Sequence, residues 1–237
     1  MTALSKDDGP AFGAHAFIWA GEWTREGAER VISGTAEVGL DFVEIPLLDP
    51  GSIDVLHTRS LLDRYGLGCS CSLGLPPEVH LPSNPEGARR FLDGAVETTA
   101  ALGSPLLTGC LYTHVGTLTG KPPETAELET VAHILKRTAR RAAEYGVEIG
   151  VEAINRYETY LVNLALQARE LLERIDEPNV FVHLDSNIVQ LKIEKIMSNF
   201  VTQAQRHWFK EDVFLSTLRL RGMESNSPST YAEGFYC

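Results

Sequence analysis

Two carboxylates at the ends of apolar, strand-like segments are the first candidates for chemistry. Glu152 lies near the end of EIGVEAIN, residues 148–155, and Asp185 closes NVFVHLD, residues 179–185. If these segments are neighbouring strands, both side chains reach one rim, where they could share a hard divalent cation. Such an ion takes about six oxygen or nitrogen ligands, so two carboxylates alone would leave most positions to water. The alternative is that both are ordinary polar residues at solvated strand ends.

A repeated pattern of short apolar strand, loop and amphipathic helix positions these residues. Glycine follows several of the helical segments, which is typical of a left-handed residue at a helix C-terminus. Thr24 is a plausible N-cap for the first helix. The sequence predicts six strands, at residues 11–19, 41–47, 68–75, 105–112, 148–155 and 179–185.

Six strands that alternate with helices indicate a parallel sheet, either open and doubly wound or closed into a barrel. The first strand runs into HAFIWAGEW, which lacks the phosphate-binding glycines of a dinucleotide fold. Polar residues instead stand at several strand ends: His15, Glu44, Glu152 and Asp185. The pattern therefore favours a (β/α) barrel, in which strand ends and loops at one rim form the site.

Residues 11–185 resemble the ketose 3-epimerases of the tagatose and allulose (psicose) type, in the xylose-isomerase-like TIM-barrel superfamily. The resemblance lies in HAFIWAGEW, GLDFVEIPLLDP, SCSLGL, VEAINRYETYLVN and NVFVHLD. It implies an enzyme that epimerises a ketose at C3 through a cis-enediolate. It also implies a divalent metal cofactor, Mn²⁺ before Co²⁺ or Mg²⁺, and a homodimer or homotetramer.

The resemblance also implies roles for particular residues. Glu152 matches the glutamate that binds the metal and transfers a proton, and Asp185 matches a metal ligand. Glu158 matches a residue that contacts the sugar near its reacting end. His15 and Trp19 match a region that lines the sugar pocket, although a hydrogen-bonded core histidine and a rim or core aromatic remain alternatives.

The segment after Asp185 departs from this pattern. Residues 186–237 hold two of the 20 glycines and one of the 12 prolines, and the family's substrate-contacting histidine after the aspartate is absent. Glu224 faintly echoes the family's second catalytic glutamate, and His207 is the candidate for the remaining metal-binding histidine. We expect one domain, with residues 1–185 as barrel core and residues 186–237 as an atypical, partly helical segment that does not supply two regular closing strands. Such a tail suggests alternative splicing or a shifted reading frame, weak metal binding and little or no turnover.

Composition and charge argue against several classes of function. A formal net charge of -11 argues against nucleic-acid binding, and no apolar run is long enough to span a membrane. The N-terminus has no apolar signal region, and Cys69, Cys71 and Cys110 lie in apolar runs that favour reduced thiols in the cytoplasm. Two other functions stay open: an inosose or other keto-sugar isomerase or dehydratase, and an inactive truncated form that acts only by binding.

Overall fold

The computed structural model describes residues 11–184 as six parallel strands that alternate with five α-helices. The strands lie side by side in chain order, β1 to β6, and each pairs in parallel with the next. This confirms the predicted order of six contiguous parallel strands. The strands are β1 Gly13–His15, β2 Phe42–Pro46, β3 Gly68–Gly74, β4 Leu106–Cys110, β5 Glu148–Glu152 and β6 Val180–His183. The helices are α1 Arg25–Glu37, α2 Val55–Tyr65, α3 Pro85–Leu102, α4 Thr125–Glu144 and α5 Ala165–Ile175.

The helix ends follow from local sequence. The Thr24 hydroxyl accepts a hydrogen bond from Gly27 N at 3.0 Å and so begins α1, as its N-cap position predicts. Gly66 and Gly103 end α2 and α3 with φ values of 65° and 78°, a left-handed conformation that glycine adopts without steric cost. These ends fix the short connections that carry the chain back to the start of each next strand.

The sheet has an apolar outer face and a partly polar inner face. Cys69 Sγ on β3 donates to the carbonyl oxygen of Leu102 in α3 at 3.8 Å, which places the side of the strand that carries Cys69 and Cys71 against the helices. Burial raises the pKa of Cys71 to about 12, so its thiol stays protonated and unreactive. The neighbouring residues Ser70 and Ser72 therefore point to the inner face, because side chains alternate along a strand.

Glycines on the inner face make room for aromatic rings. A Cβ atom on Gly150 of β5 would lie 2.8 Å from the Phe181 ring of β6, and a Cβ on Gly13 of β1 would lie 2.1 Å from the Phe42 ring of β2. Both distances are shorter than packed carbon atoms allow. The two rings thus fill the inner face next to strands that carry no side chain at these positions.

All six strands end before the residue that the sequence predicts, and the ends of β1 and β4 have a local cause. β1 stops at His15, because the His15 ring accepts a hydrogen bond from Phe17 N at 3.2 Å and starts a 3-10 turn, Ala16–Ile18. β4 stops at Cys110, just after Gly109 adopts a φ of 111°, and a Cβ at Gly109 would lie 2.3 Å from Leu73 O. Both early ends turn the chain into the loops at the carboxyl ends of the strands.

Candidate active site

Glu152, the predicted proton-transferring carboxylate, is the last residue of β5. It lies directly opposite His183 of β6 in the parallel ladder, and His183 Nδ1 is 3.6 Å from Glu152 Oε2. The buried Tyr112 hydroxyl lies 2.8 Å from the Glu152 carbonyl oxygen and 3.1 Å from that of Val162. Glu152 therefore has a fixed backbone and a side chain that is 17% exposed at the rim.

Glu158 lies in the turn that follows β5 and is held from two sides. The Asn155 side-chain amide donates a hydrogen bond to Glu158 Oε2. The Glu158 carbonyl accepts from Gly116 N at 2.6 Å, and Thr159 forms an isolated bridge with Thr117. The loop after β5 thus rests on the loop after β4, which fixes the Glu158 carboxylate beyond the end of the strand, as the sequence predicts.

His15 lies at the end of β1, opposite Glu44 of β2. His15 Nε2 is 3.9 Å from Glu44 Oε1. Burial lowers the pKa of His15, and the Glu44 carboxylate opposes that shift only in part. The ring is therefore neutral at pH 7, and because its Nδ1 accepts from Phe17 N, its Nε2 carries the proton.

Trp19 follows the 3-10 turn after β1 and is partly buried against the core. Its indole packs closely on Gly34 of α1, where an added Cβ would lie 2.4 Å from Trp19 Nε1. The structure therefore places part of the ring against a helix, as the core-aromatic alternative predicts. Contact between Trp19 and a sugar stays a prediction.

A hydrogen-bonded chain at the same rim is not evident from sequence. Thr113 Oγ1 lies 2.8 Å from His80 Nδ1, His80 Nε2 lies 3.4 Å from the Tyr160 hydroxyl, and that hydroxyl donates to Glu127 Oε1 at 2.5 Å. The chain links the loops after β3, β4 and β5 to the first turn of α4. Burial lowers the pKa of His80, which keeps the ring neutral. No spacing in the sequence signals these contacts, because the bonded residues are 33 to 80 positions apart.

Of the predicted metal ligands, Glu152 is the one that lies within the described residues. Glu152 offers carboxylate oxygens of the type that hard divalent ions bind. Within residues 11–184, no group of three histidine, cysteine or acidic side chains is arranged to hold a metal ion. The other predicted ligands, Asp185 and His207, and the predicted second catalytic residue Glu224, lie outside the described residues.

No helix in the described part of the chain is long and apolar enough to cross a membrane.

Cys69, Cys71 and Cys110 are buried and free, as the sequence predicts.

The sequence and the fold of this chain are similar to those of known ketose 3-epimerases. The chain is 36% identical over 179 residues to an L-ribulose 3-epimerase of Methylomonas sp. (strain DH-1), covering 74% of this chain and 62% of that protein. It is 32% identical over 197 residues to a ketose 3-epimerase of Arthrobacter globiformis, covering 81% and 68% of the two chains. A crystal structure of a Methylomonas D-allulose 3-epimerase in complex with D-allulose superposes with a TM-score of 0.78 at 32% identity, over 83% of this chain and 69% of that one.

The chain thus spans about two thirds of the length of these relatives. Residues 33–196, more than half of the chain, match the sequence model of the xylose isomerase-like TIM barrel family. The protein belongs to the xylose isomerase-like TIM barrel family.

Proposed function

We propose that this rim is the site of a divalent-metal-dependent ketose 3-epimerase. The observation that supports the proposal best is the position of Glu152 at the end of β5, with Glu158 fixed in the next turn, in a chain similar to L-ribulose and ketose 3-epimerases.

Epimerisation at C3 removes a proton beside a carbonyl group and returns a proton to the opposite face of the carbon. Glu152 takes the proton at C3, which leaves the substrate as a cis-enediolate. A second carboxyl group on the opposite face, protonated before this step, gives its proton to C3 and becomes a carboxylate; the sequence offers Glu224 for that role. A bound divalent ion, with Mn²⁺ as the expected metal, would polarise the substrate carbonyl.

The other residues bind and orient the sugar. Glu158 accepts hydrogen bonds from hydroxyls near the reacting carbon, and Asn155 holds its carboxylate in place. His15 lines the pocket from β1, with a neutral ring that donates through Nε2. Glu158 lies six residues beyond Glu152, in the turn after β5, and in this proposal Glu152 takes the proton while Glu158 binds the sugar.

The test is an assay of D-fructose, D-allulose and D-tagatose with Mn²⁺, together with calorimetric titration of each sugar. We expect binding of at least one ketose and at most a slow interconversion of D-fructose and D-allulose, which differ only at C3, and chelation of the metal should abolish that interconversion. A protein that binds none of the three sugars and converts none of them would overturn the proposal.

A further inference from the structure

Glu44 is a carboxylate on the inner face of β2 that the mechanism above does not use. The residue is 8% exposed, and within residues 11–184 it makes no hydrogen bond that would satisfy its charge. Its nearest polar neighbour is His15 Nε2 at 3.9 Å, beyond hydrogen-bond distance. The Glu44 side chain is 11% exposed, so its carboxylate is open in part to a hydrogen-bond donor that enters from outside the described residues.

Ser70 of β3 gives a second, independent observation at the same place. It lies directly opposite Glu44 in the β2–β3 ladder, just as His15 lies opposite Glu44 in the β1–β2 ladder. Ser70 is fully buried, and its hydroxyl has no hydrogen-bond partner among the described residues. Three polar side chains therefore form one row across three neighbouring strands of the sheet.

The geometry of the row selects the chemistry of the missing partner. The His15 Nε2–H group faces Glu44 Oε1 across a gap of 3.9 Å. An oxygen about 2.8 Å from both atoms would form an angle of roughly 90° between them, so one group can touch both. That group must accept from Nε2–H and donate to the carboxylate, which a hydroxyl does and a simple cation or anion does not.

We infer that Glu44, together with His15, binds a hydroxyl at the end of the ketose that is remote from C3. The inference rests on the proposed function, since that function supplies the hydroxylated ligand. Glu44 lies on β2 and Glu152 on β5, three strand spacings of about 4.8 Å each along the curved sheet. A group on β2 therefore meets a different part of an extended sugar from the part that meets Glu152.

Two sugars of different length test the inference. D-allulose carries the remote hydroxyls, and erythrulose, a four-carbon ketose, lacks them. Affinities for both are measured by ligand-observed NMR titration of the full chain, with Mg²⁺ present, for the wild-type protein and for Glu44→Gln, Glu44→Asp and Glu158→Gln. Glu129→Gln, which changes an exposed carboxylate on α4, is the matched control.

Glu44→Gln should weaken D-allulose binding about ten-fold, because a charge-assisted hydrogen bond becomes a neutral one, and leave erythrulose binding unchanged. Glu44→Asp, which withdraws the carboxylate by one methylene group, should show the same selectivity. Glu158→Gln should weaken both sugars, since it acts near the reacting carbons. Circular dichroism confirms that each variant is folded.

The outcomes separate the subsite from the proposed function. Unchanged D-allulose affinity in folded Glu44→Gln and Glu44→Asp would mean that only a bound water fills the gap, and would overturn the subsite alone. Equal weakening of both sugars would also overturn it, since it would show a general structural role. A wild-type protein that binds neither sugar would overturn the proposed function and this subsite together.

Discussion

Two histidine–glutamate pairs occupy matching positions at opposite sides of the sheet. On β1 and β2, His15 lies opposite Glu44, and on β5 and β6, Glu152 lies opposite His183. The more buried partner differs between the two pairs. In one pair the Glu152 side chain is 17% exposed and the His183 side chain 5%. In the other pair the Glu44 side chain is 11% exposed and the His15 side chain 33%. Glu152 is the last residue of its strand, and Glu44 lies two residues before the end of its strand.

The two carboxylates differ in depth along their strands. Glu152 ends β5, where the proposed function has it meet an ion or a reacting carbon. Glu44 is set back from the end of β2, and the inference above gives it a role in binding. The same arrangement of neighbouring strands could thus serve proton transfer at one side and binding at the other.

The largest effect should follow from Glu152→Gln. This change keeps the shape of the side chain but removes both the base and the negative charge, and it should lower conversion of D-allulose to D-fructose by a factor of about 10² to 10⁴. Glu148→Gln, at the other end of β5 where the side chain is exposed, is the control and should leave conversion unchanged. Equal losses in both variants, measured by chromatography of the sugars, would remove the distinction between the rim and the opposite end of the strand.

Loss of the Tyr112 hydroxyl, which contacts the backbone carbonyl of Glu152, should destabilise the folded protein. Tyr112→Phe removes the hydroxyl that lies within hydrogen-bond distance of the carbonyl oxygens of Glu152 and Val162. The free energy of unfolding should fall by about 1 kcal/mol, measured by urea denaturation. Tyr157→Phe, in which the ring is 81% exposed, should have no measurable effect. If the two variants unfolded at the same urea concentration, the Tyr112 hydroxyl would make no measurable contribution to stability.

Glu158→Gln should affect sugar binding more than the rate at saturation. The carboxylate lies beyond the strand, next to Asn155. This variant would lose the proposed charge-assisted hydrogen bond from the sugar. We expect affinity for D-allulose to fall about ten-fold, measured by calorimetry, with Glu129→Gln as control. A fall in the rate at saturating sugar, with affinity intact, would instead move Glu158 into the chemical step.

The smallest effect concerns the pKa of His15. Burial holds this pKa below the ordinary value of 6.5, and Glu44 raises it in part, so Glu44→Gln should lower it further. The unfolded chain binds a proton more readily at this site, and the contribution of His15 to stability is therefore lost as pH falls through 6.5 toward the folded pKa. NMR titration of the His15 ring tests the first point. An unchanged pKa in Glu44→Gln would show that the two groups are not coupled.

The strands and the position of Glu152 could be predicted because their signals are local in the sequence. Apolar runs indicate the strands, and glycines indicate the ends of the helices between them. The Glu44–Ser70 row could not be predicted, since it depends on the register between strands that are far apart in sequence. Nor could the early end of β1, where the His15 ring itself caps the next turn. The contact of Trp19 with Gly34 and the link between His80 and Tyr160 likewise arise only when helices and loops pack. The predictions for Asp185, His207, Glu224 and the closing strands lie outside the described residues and stay predictions.

The central claim is that one carboxylate at the end of β5 exchanges a proton at C3 of a ketose. Removal and return of that proton on the same face needs only one base, so it tests Glu152 independently of any second carboxylate. The direct measurement is NMR of D-allulose incubated with the protein and Mn²⁺ in deuterium oxide. We predict that the C3 proton signal disappears while the C4 and C5 signals persist, and that Glu152→Gln abolishes the exchange. Retention of the C3 proton with the wild-type protein, or equal exchange with Glu152→Gln, would contradict the account.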